Sequence, residues 1–363
     1  MPAIPAAIQI PDQPRFRPHH LGEAADAFNA RLRSGAAESY RPAPLGFPEL
    51  DACLGGGLRA EDLVLIGGPQ NVGKTILALQ IARNLAAGGA ALPILVCYEH
   101  GIETLLQRLI CLESLGDPDQ PASGRVSRDQ LEQAVLACFS ECPASAALDL
   151  ELVWRHLPAA EAAWFRLREY LWRLWLVAGD GLETTDFLLD EYVRMARLEG
   201  FRRVVLIVDD AQRVPLQLRL GQGGLTETHR IDRVMRALKG IALRQGVPVV
   251  AVAAADAAGL RRGRVHVEDL WGPATVQYEP DVALILNRDD GEWAAGERRV
   301  RVAVEKNRHG PSEVEFRHRL YGAQYGLSSH GETVPPGDSF QAERIGRRRL
   351  KAAAQAAEEG EGE

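Results

Sequence analysis

Residues 63–75 read Leu-Val-Leu-Ile-Gly-Gly-Pro-Gln-Asn-Val-Gly-Lys-Thr, and this stretch decides the fold. It opens as a continuous apolar run, Leu63–Ile66, too short for a helix and bounded by glycine. A strand that is apolar toward both sides belongs inside a parallel sheet covered by helices on both faces. From Gly68 to Thr75 the spacing is G-x-x-x-x-G-K-T, and Thr75–Ala87 follows with a helical pattern. Glycines at those places let the backbone curl so that several N–H groups point at one anion, and the helix adds its positive end. Gly68, Pro69, Gln70, Asn71, Val72, Gly73, Lys74 and Thr75 are therefore expected to cradle the phosphates of a nucleotide. In such a loop the Lys74 ammonium reaches the terminal phosphates and the Thr75 hydroxyl holds Mg2+.

Working outward, Ile94–Cys97, Val204–Val208, Val249–Val252 and Val282–Leu286 repeat the short apolar run, with helical patterns such as Ile231–Arg244 between them. The prediction is an α/β fold, a mostly parallel central sheet with helices on both faces. Arg299–Val304 and Val314–Arg319 alternate apolar and polar around Gly310-Pro311, which predicts a C-terminal β-hairpin at the sheet edge. In open α/β sheets ligands bind beyond the carboxyl ends of the strands. Asp209 ends one apolar run there and is the metal-side residue, with Asp210 as a competitor. Glu99 follows another run and is placed to orient the attacking water.

The 363 residues are 46% hydrophobic and 25% charged, a globular composition rather than a disordered one. A net charge of −7 excludes a binder that lives on bulk positive charge, though a local basic rim remains compatible with nucleic acid. The five cysteines are scattered, as expected of reduced thiols in a cytoplasmic protein. The first residues do not read as a secretory leader, and no apolar stretch reaches the ~20 residues a bilayer requires, so no membrane association is expected.

Three regions are expected. Residues 1–44 hold a proline-rich arm, a short amphipathic helix over 20–33 and a linker; 45–330 form the main domain; 331–363 form a flexible charged tail. A helical insertion is expected around 140–175, where Trp164, Phe165, Trp172 and Trp175 read either as core packing or as a stacking platform for bases.

With these segments in order, the chain from Leu45 to Leu327 resembles the DnaB-type replicative helicases, in their C-terminal RecA-like ATPase domain. The resemblance is carried by LGFPELDACLGGGLRAEDLVLIGG, VCYEHGIETLLQRLI, VVLIVDDAQRV, RIDRVMRALKGIALRQGVPVVAV, VEDLWGPATVQYEPDVALILNRDD and VEKNRHGPSEVEF. It implies a RecA-like P-loop NTPase that uses ATP and Mg2+, with Glu99 as the catalytic glutamate, Asp209 on the metal and Gln212 as the glutamine three residues on. It further implies a homo-oligomer, a hexameric ring in which Lys306 and Arg308 of the hairpin enter the next subunit's site. Single-stranded DNA would run past two loops, one carrying Arg219 and one carrying Arg261, Arg262 and Arg264. A loader or replisome-type protein is the implied partner.

Several features depart from the family. Ala253 and Ala254 stand where it carries a polar Ser-Gln pair, and Val276-Gln277-Tyr278 replaces its glutamate-bearing segment. Fewer than 50 residues precede Leu45, so its N-terminal primase-binding domain is expected to be lacking. Two functions stay open on this reading. One is a ring-forming helicase or translocase that couples ATP hydrolysis to movement on single-stranded DNA. The other is a DnaB/KaiC-like ATPase switch that assembles with nucleotide and binds a protein partner.

Overall fold

The computed structural model describes residues 18–34, 38, 40–116, 124–141, 149–216, 226–289 and 298–335. The chain divides into two compact units, Met1–Arg41 and Pro42–Glu363. The first contains helix α1 (Leu21–Arg33), close to the span predicted, with no buried residue of its own. The second begins three residues before the boundary expected from sequence, because Ala43 already pairs with Leu58 and Leu45 is buried.

The second unit runs α2 (Pro48–Cys53), β1 (Leu63–Gly68), α3 (Lys74–Ala87), β2 (Leu92–Cys97) and α4 (Ile102–Leu115). Then come α5 (Arg128–Glu141), α6 (Leu150–Arg155), α7 (Pro158–Arg168), β3 (Trp175–Ala178), α8 (Asp186–Leu198) and β4 (Val204–Asp209). After these follow α9 (Glu227–Gln245), β5 (Val249–Ala254), α10 (Thr275–Tyr278) and β6 (Val282–Arg288). The chain closes with β7 (Arg299–Asn307), β8 (Val314–Tyr321), β9 (Gly326–Leu327) and β10 (Glu332–Thr333).

One ten-stranded sheet has the order β10-β8-β7-β6-β1-β5-β4-β2-β3, with β9 beside β8. From β3 to β6 the pairing is parallel; β7, β8 and β10 extend the sheet antiparallel. The cause is visible in β1. Val64 and Ile66 face the core shared with α3, α4 and α7, while Leu63 and Leu65 face the one shared with α8 and α9. All six residues are buried, so neither face tolerates a charge.

The structure corrects three expectations. Trp175 does not end a helical insertion; it opens β3, a parallel edge strand beside β2. The other aromatics of that stretch divide: Trp164 packs against the core, whereas Phe165 and Trp172 are exposed. Nor does a tail begin at 331, because Glu332 and Thr333 pair with Arg317 and Phe316. Residues 336–363, the arm over 1–17 and Cys142 lie outside the described residues; the four described cysteines are buried and form no disulfide. Among the described residues, no helix is long and apolar enough to cross a membrane.

One polar cluster crosses the packing between α3, α4 and α7. The Glu113 carboxylate, 2% exposed, accepts from Arg83 at 2.6 and 3.0 Å and from the Tyr170 hydroxyl, and Arg166 donates to the Glu113 carbonyl at 2.7 Å. Removing one member of a buried pair leaves the other without compensation. Glu113→Ala is therefore expected to cost about 3 kcal/mol of unfolding free energy in a urea titration. A loss under about 1 kcal/mol, the scale of an exposed pair, would mean that the cluster is not a structural tie.

Candidate nucleotide site

The carboxyl edge of the sheet gathers the polar groups that its faces exclude. β1 ends at Gly68, where a Cβ would lie 2.5 Å from the Leu286 carbonyl oxygen; only glycine allows β6 to run this close. The loop then turns through left-handed backbone at Asn71 and Gly73, and α3 starts at Lys74. The Lys74 ammonium folds back onto its own loop, donating to the carbonyls of Gly68 at 3.0 Å and Pro69 at 2.8 Å. Burial holds it below the ordinary lysine range, against the opposite pull of Asp210, Asp209 and Glu99. A curled loop, a helix start and a partly desolvated cation fit a triphosphate, whose oxygens can replace the two carbonyls around Lys74.

Asp209 ends β4 in register with Cys97, the last residue of β2, and is 2% exposed. Its carboxylate accepts from the Thr75 hydroxyl, and the Cys97 Sγ lies 3.7 Å from Oδ2. Burial raises Asp209 to about 6, with the Glu99 charge adding to the shift. Asp210 is likewise raised to about 6 by burial, although its Oδ1 accepts from the Gln212 backbone N–H at 2.8 Å. The two carboxylates differ in their contacts: Asp209 meets Thr75, whereas Asp210 caps its own turn and lines the same cleft. A hydroxyl and a carboxylate side by side suit Mg2+, which takes one or two protein oxygens and completes its shell with phosphate and water.

Glu99 stands two residues beyond β2 and lines this cleft of about 500 Å³ together with Lys74, Thr75 and Asp209. Its Oε1 is paired at 3.1 Å with Arg213, on the single 3₁₀ turn that follows Asp210. Arg213 had no part in the sequence reading. Neither did Arg108, Arg298 and Tyr325, which line the same cleft. The Arg108 guanidinium lies 4.7 Å from the centre of the Tyr325 ring. These residues come from separate segments and no local spacing marks them, except that Arg213 sits in the turn immediately after the metal-side strand.

Gln212, expected on the nucleotide side, is 4% exposed and joins two strand exits instead. Its Nε2 donates to the Ala254 carbonyl at 3.1 Å and to that of Trp271, while its Oε1 accepts from the Ala254 N–H at 2.8 Å. Ala253 and Ala254 pair with Gly67 and Gly68, so Gln212 ties the exit of β4 to the strand beside the phosphate loop.

Lys306 and Arg308 lie at the opposite edge. Lys306 Nζ donates to the carbonyls of Gln277 and Tyr278 at 3.0 and 2.9 Å. Arg308 pairs with Asp281 at 3.2 Å, and the Asp281 backbone N–H donates to the carbonyl of Leu63, the first residue of β1. Five residue steps of roughly 3.3 Å, about 17 Å in all, separate that end of β1 from Gly68. These cations do not reach the phosphate loop of their own chain. The bulge between β6 and β7 leaves Glu305 unpaired in register, and its carboxylate meets His266 Nδ1 at 2.7 Å and the Val267 N–H at 2.8 Å.

Of the arginines expected to face DNA, Arg219 lies outside the described residues, as does the side chain of Arg262. Arg261 is exposed and Arg264 is half-buried, on a turn that leaves the same sheet edge as the phosphate loop and is anchored by Val265, whose N–H and C=O both bond Asn287 at 2.8 Å.

Comparison with known proteins agrees with this geometry. The DnaB-like helicase C terminal domain family matches residues 43–149. The replicative DNA helicase DnaC of Bacillus subtilis (strain 168) is 23% identical over 274 residues, 74% of this chain and 52% of that one. The replicative DNA helicase DnaB of Nostoc sp. is 29% identical over 212 residues, 58% of this chain and 20% of that one. This chain thus spans about half the length, or less, of these curated relatives. Among solved structures, an isolated ATPase domain superposes with a TM-score of 0.64 at 20% identity, over 86% of this chain and 99% of that one. A DnaB-like replicative helicase studied for its interactions with primase gives 0.63 at 19% identity, over 87% of this chain and 68% of that one. The parallel sheet carries the phosphate loop, Asp209 and Glu99 at one edge; residues 43–149 match the DnaB-like helicase C terminal domain, and the fold is that of RecA-like ATPase domains.

Proposed function

We propose that this protein is an ATP-driven, ring-forming motor that moves along single-stranded DNA. The observation that carries the reading is the distance between its two charged edges. The phosphate loop, Asp209 and Glu99 stand at the carboxyl ends of the strands, and Lys306 and Arg308 at the amino end of β1. A site that draws on both sets is closed by a neighbouring copy, as in a closed ring.

The chemistry then falls to few groups. Lys74 and the loop N–H groups hold the terminal phosphates, and Thr75 with Asp209 forms the side that would hold Mg2+. The bound metal ion would neutralise phosphate charge. Glu99 orients a water against the terminal phosphate and accepts its proton. Arg308 and Lys306 from the adjacent subunit meet the charge that develops on the transferred group, an effect worth on the order of 10³–10⁵ in rate where such cations have been removed. Arg261, Arg262 and Arg264, on a turn that starts five residues beyond the end of β5, supply phosphate contacts for the strand. The switch reading, with a protein partner in place of DNA, keeps the same ATP chemistry and differs in what stimulates it.

ATP turnover measured with and without single-stranded DNA is expected to rise with DNA and to fall at least about 10²-fold in Lys74→Ala and Glu99→Gln. Turnover indifferent to DNA, with no strand displacement on a forked duplex, would favour the switch. Mixing Arg308→Ala with Lys74→Ala chains should restore part of the activity that each lacks, because some interfaces then combine an intact loop with an intact arginine. Mixtures no more active than either variant would count against sites shared between subunits. The acid limb follows from the raised carboxylates. Asp209 and Asp210 gain protons near pH 6 in the free enzyme, so kcat/KM for Mg-ATP should drop several-fold from pH 7.5 to 5.5 and stay level above 7.5. A profile flat across that interval would show that neither carboxylate must be ionised.

A further inference from the structure

Glu99 must present a free carboxylate oxygen to a water, yet in this structure Oε1 is 3.1 Å from a guanidinium nitrogen of Arg213. A carboxylate bonded to an arginine has one of its two oxygens engaged and its orientation set by the guanidinium. The pair is well exposed, 56% for the Arg213 side chain and 35% for that of Glu99, so water screens it and a stronger anion can take it apart. Phosphate is such an anion, because a guanidinium matches two of its oxygens at once.

The position of Arg213 makes the exchange possible. Its side chain lines both the nucleotide cleft and a second one of about 820 Å³, which also involves Gln70, Asp210, Gln212, Arg230 and Trp271. Arg230, the other arginine of that second cleft, is committed within its own surroundings, donating to the carbonyls of Gln212 and Val214 and pairing with Glu227. Arg213 differs in that its partner is the group expected to orient the water. Its backbone is fixed by the turn, with its N–H donating to the Asp210 carbonyl at 3.1 Å, so only the side chain has to move.

Resting on the function proposed above, we propose that Arg213 is a latch on Glu99, closed while the two are paired and opened when a phosphate oxygen takes over the guanidinium. Arg213 is a positioning residue: it acts through Glu99. Because Arg213 lines both clefts, the phosphate can come from either of two sources that the test separates, the nucleotide in the first cleft or a DNA strand in the second.

The test measures kcat and the KM for ATP of the full chain, with and without oligo(dT), for the wild type, Arg213→Ala and Arg213→Lys, each first checked for an unchanged melting midpoint. If the strand opens the latch, Arg213→Ala raises the strand-free kcat several-fold, the stimulation by oligo(dT) falls toward one, KM holds, and Arg213→Lys restores part of the stimulation. If the nucleotide opens it, Arg213→Ala raises the KM for ATP several-fold while stimulation persists, and Arg213→Lys recovers part of the affinity. Unchanged kcat, KM and stimulation in Arg213→Ala would overturn the latch, as would an equal fall in kcat with and without the strand. Hydrolysis that survives Glu99→Gln would sink the latch together with the function it rests on. Hydrolysis that depends on Glu99 and ignores Arg213 would sink the latch alone.

Discussion

The central strands of this sheet are buried on both faces, and a charge placed on either face would be desolvated without compensation. Charges are therefore driven to the two ends of the strands. At the carboxyl end stand Lys74, Asp209, Asp210 and Glu99. At the amino end stand Asp62, Lys239, Asp281 and Arg308, where Asp281 bonds Lys239 at 2.6 Å and the Leu63 N–H at 2.8 Å. The separation of the two sets follows from the packing, and it leaves the hairpin cations on the far side from the phosphate loop of their own chain.

The carboxyl-end cluster is unbalanced by itself. Three carboxylates surround one lysine, and burial keeps two of them near 6. Arg213 supplies a cation on the outer side, at Glu99. On the function proposed above, a nucleotide with its dication would change this balance in one step, adding positive charge beside Asp209 and negative charge beside Lys74.

Gln212 gives the site a mechanical connection. Three hydrogen bonds of one side-chain amide join the turn after β4 to the end of β5 and to Trp271. Ala253 and Ala254 contribute only backbone there, so the polar link at this edge comes from the β4 side. The turn bearing Arg261 begins five residues after β5, close along the chain to that joint.

Much was legible in the order of residues because the deciding interactions are local. An apolar run buried on both faces is a strand wherever it lies, and β1, β2, β4, β5 and β6 each fall within two residues of the runs that predicted them. The phosphate loop is one contiguous stretch, and Asp209 and Glu99 follow directly from strand ends, so their convergence is a consequence of parallel pairing. β3 escaped because an edge strand of three half-buried residues and one exposed residue has neither a continuous buried run nor a clean alternation, and its Trp175 reads equally well as a helix side chain. The pairing of Arg213 with Glu99, the Gln212 joint and the placing of Lys306 and Arg308 toward the amino end of β1 belong to the tertiary structure alone. Each depends on which strand ends come to lie side by side, and short-range spacing carries no information about that.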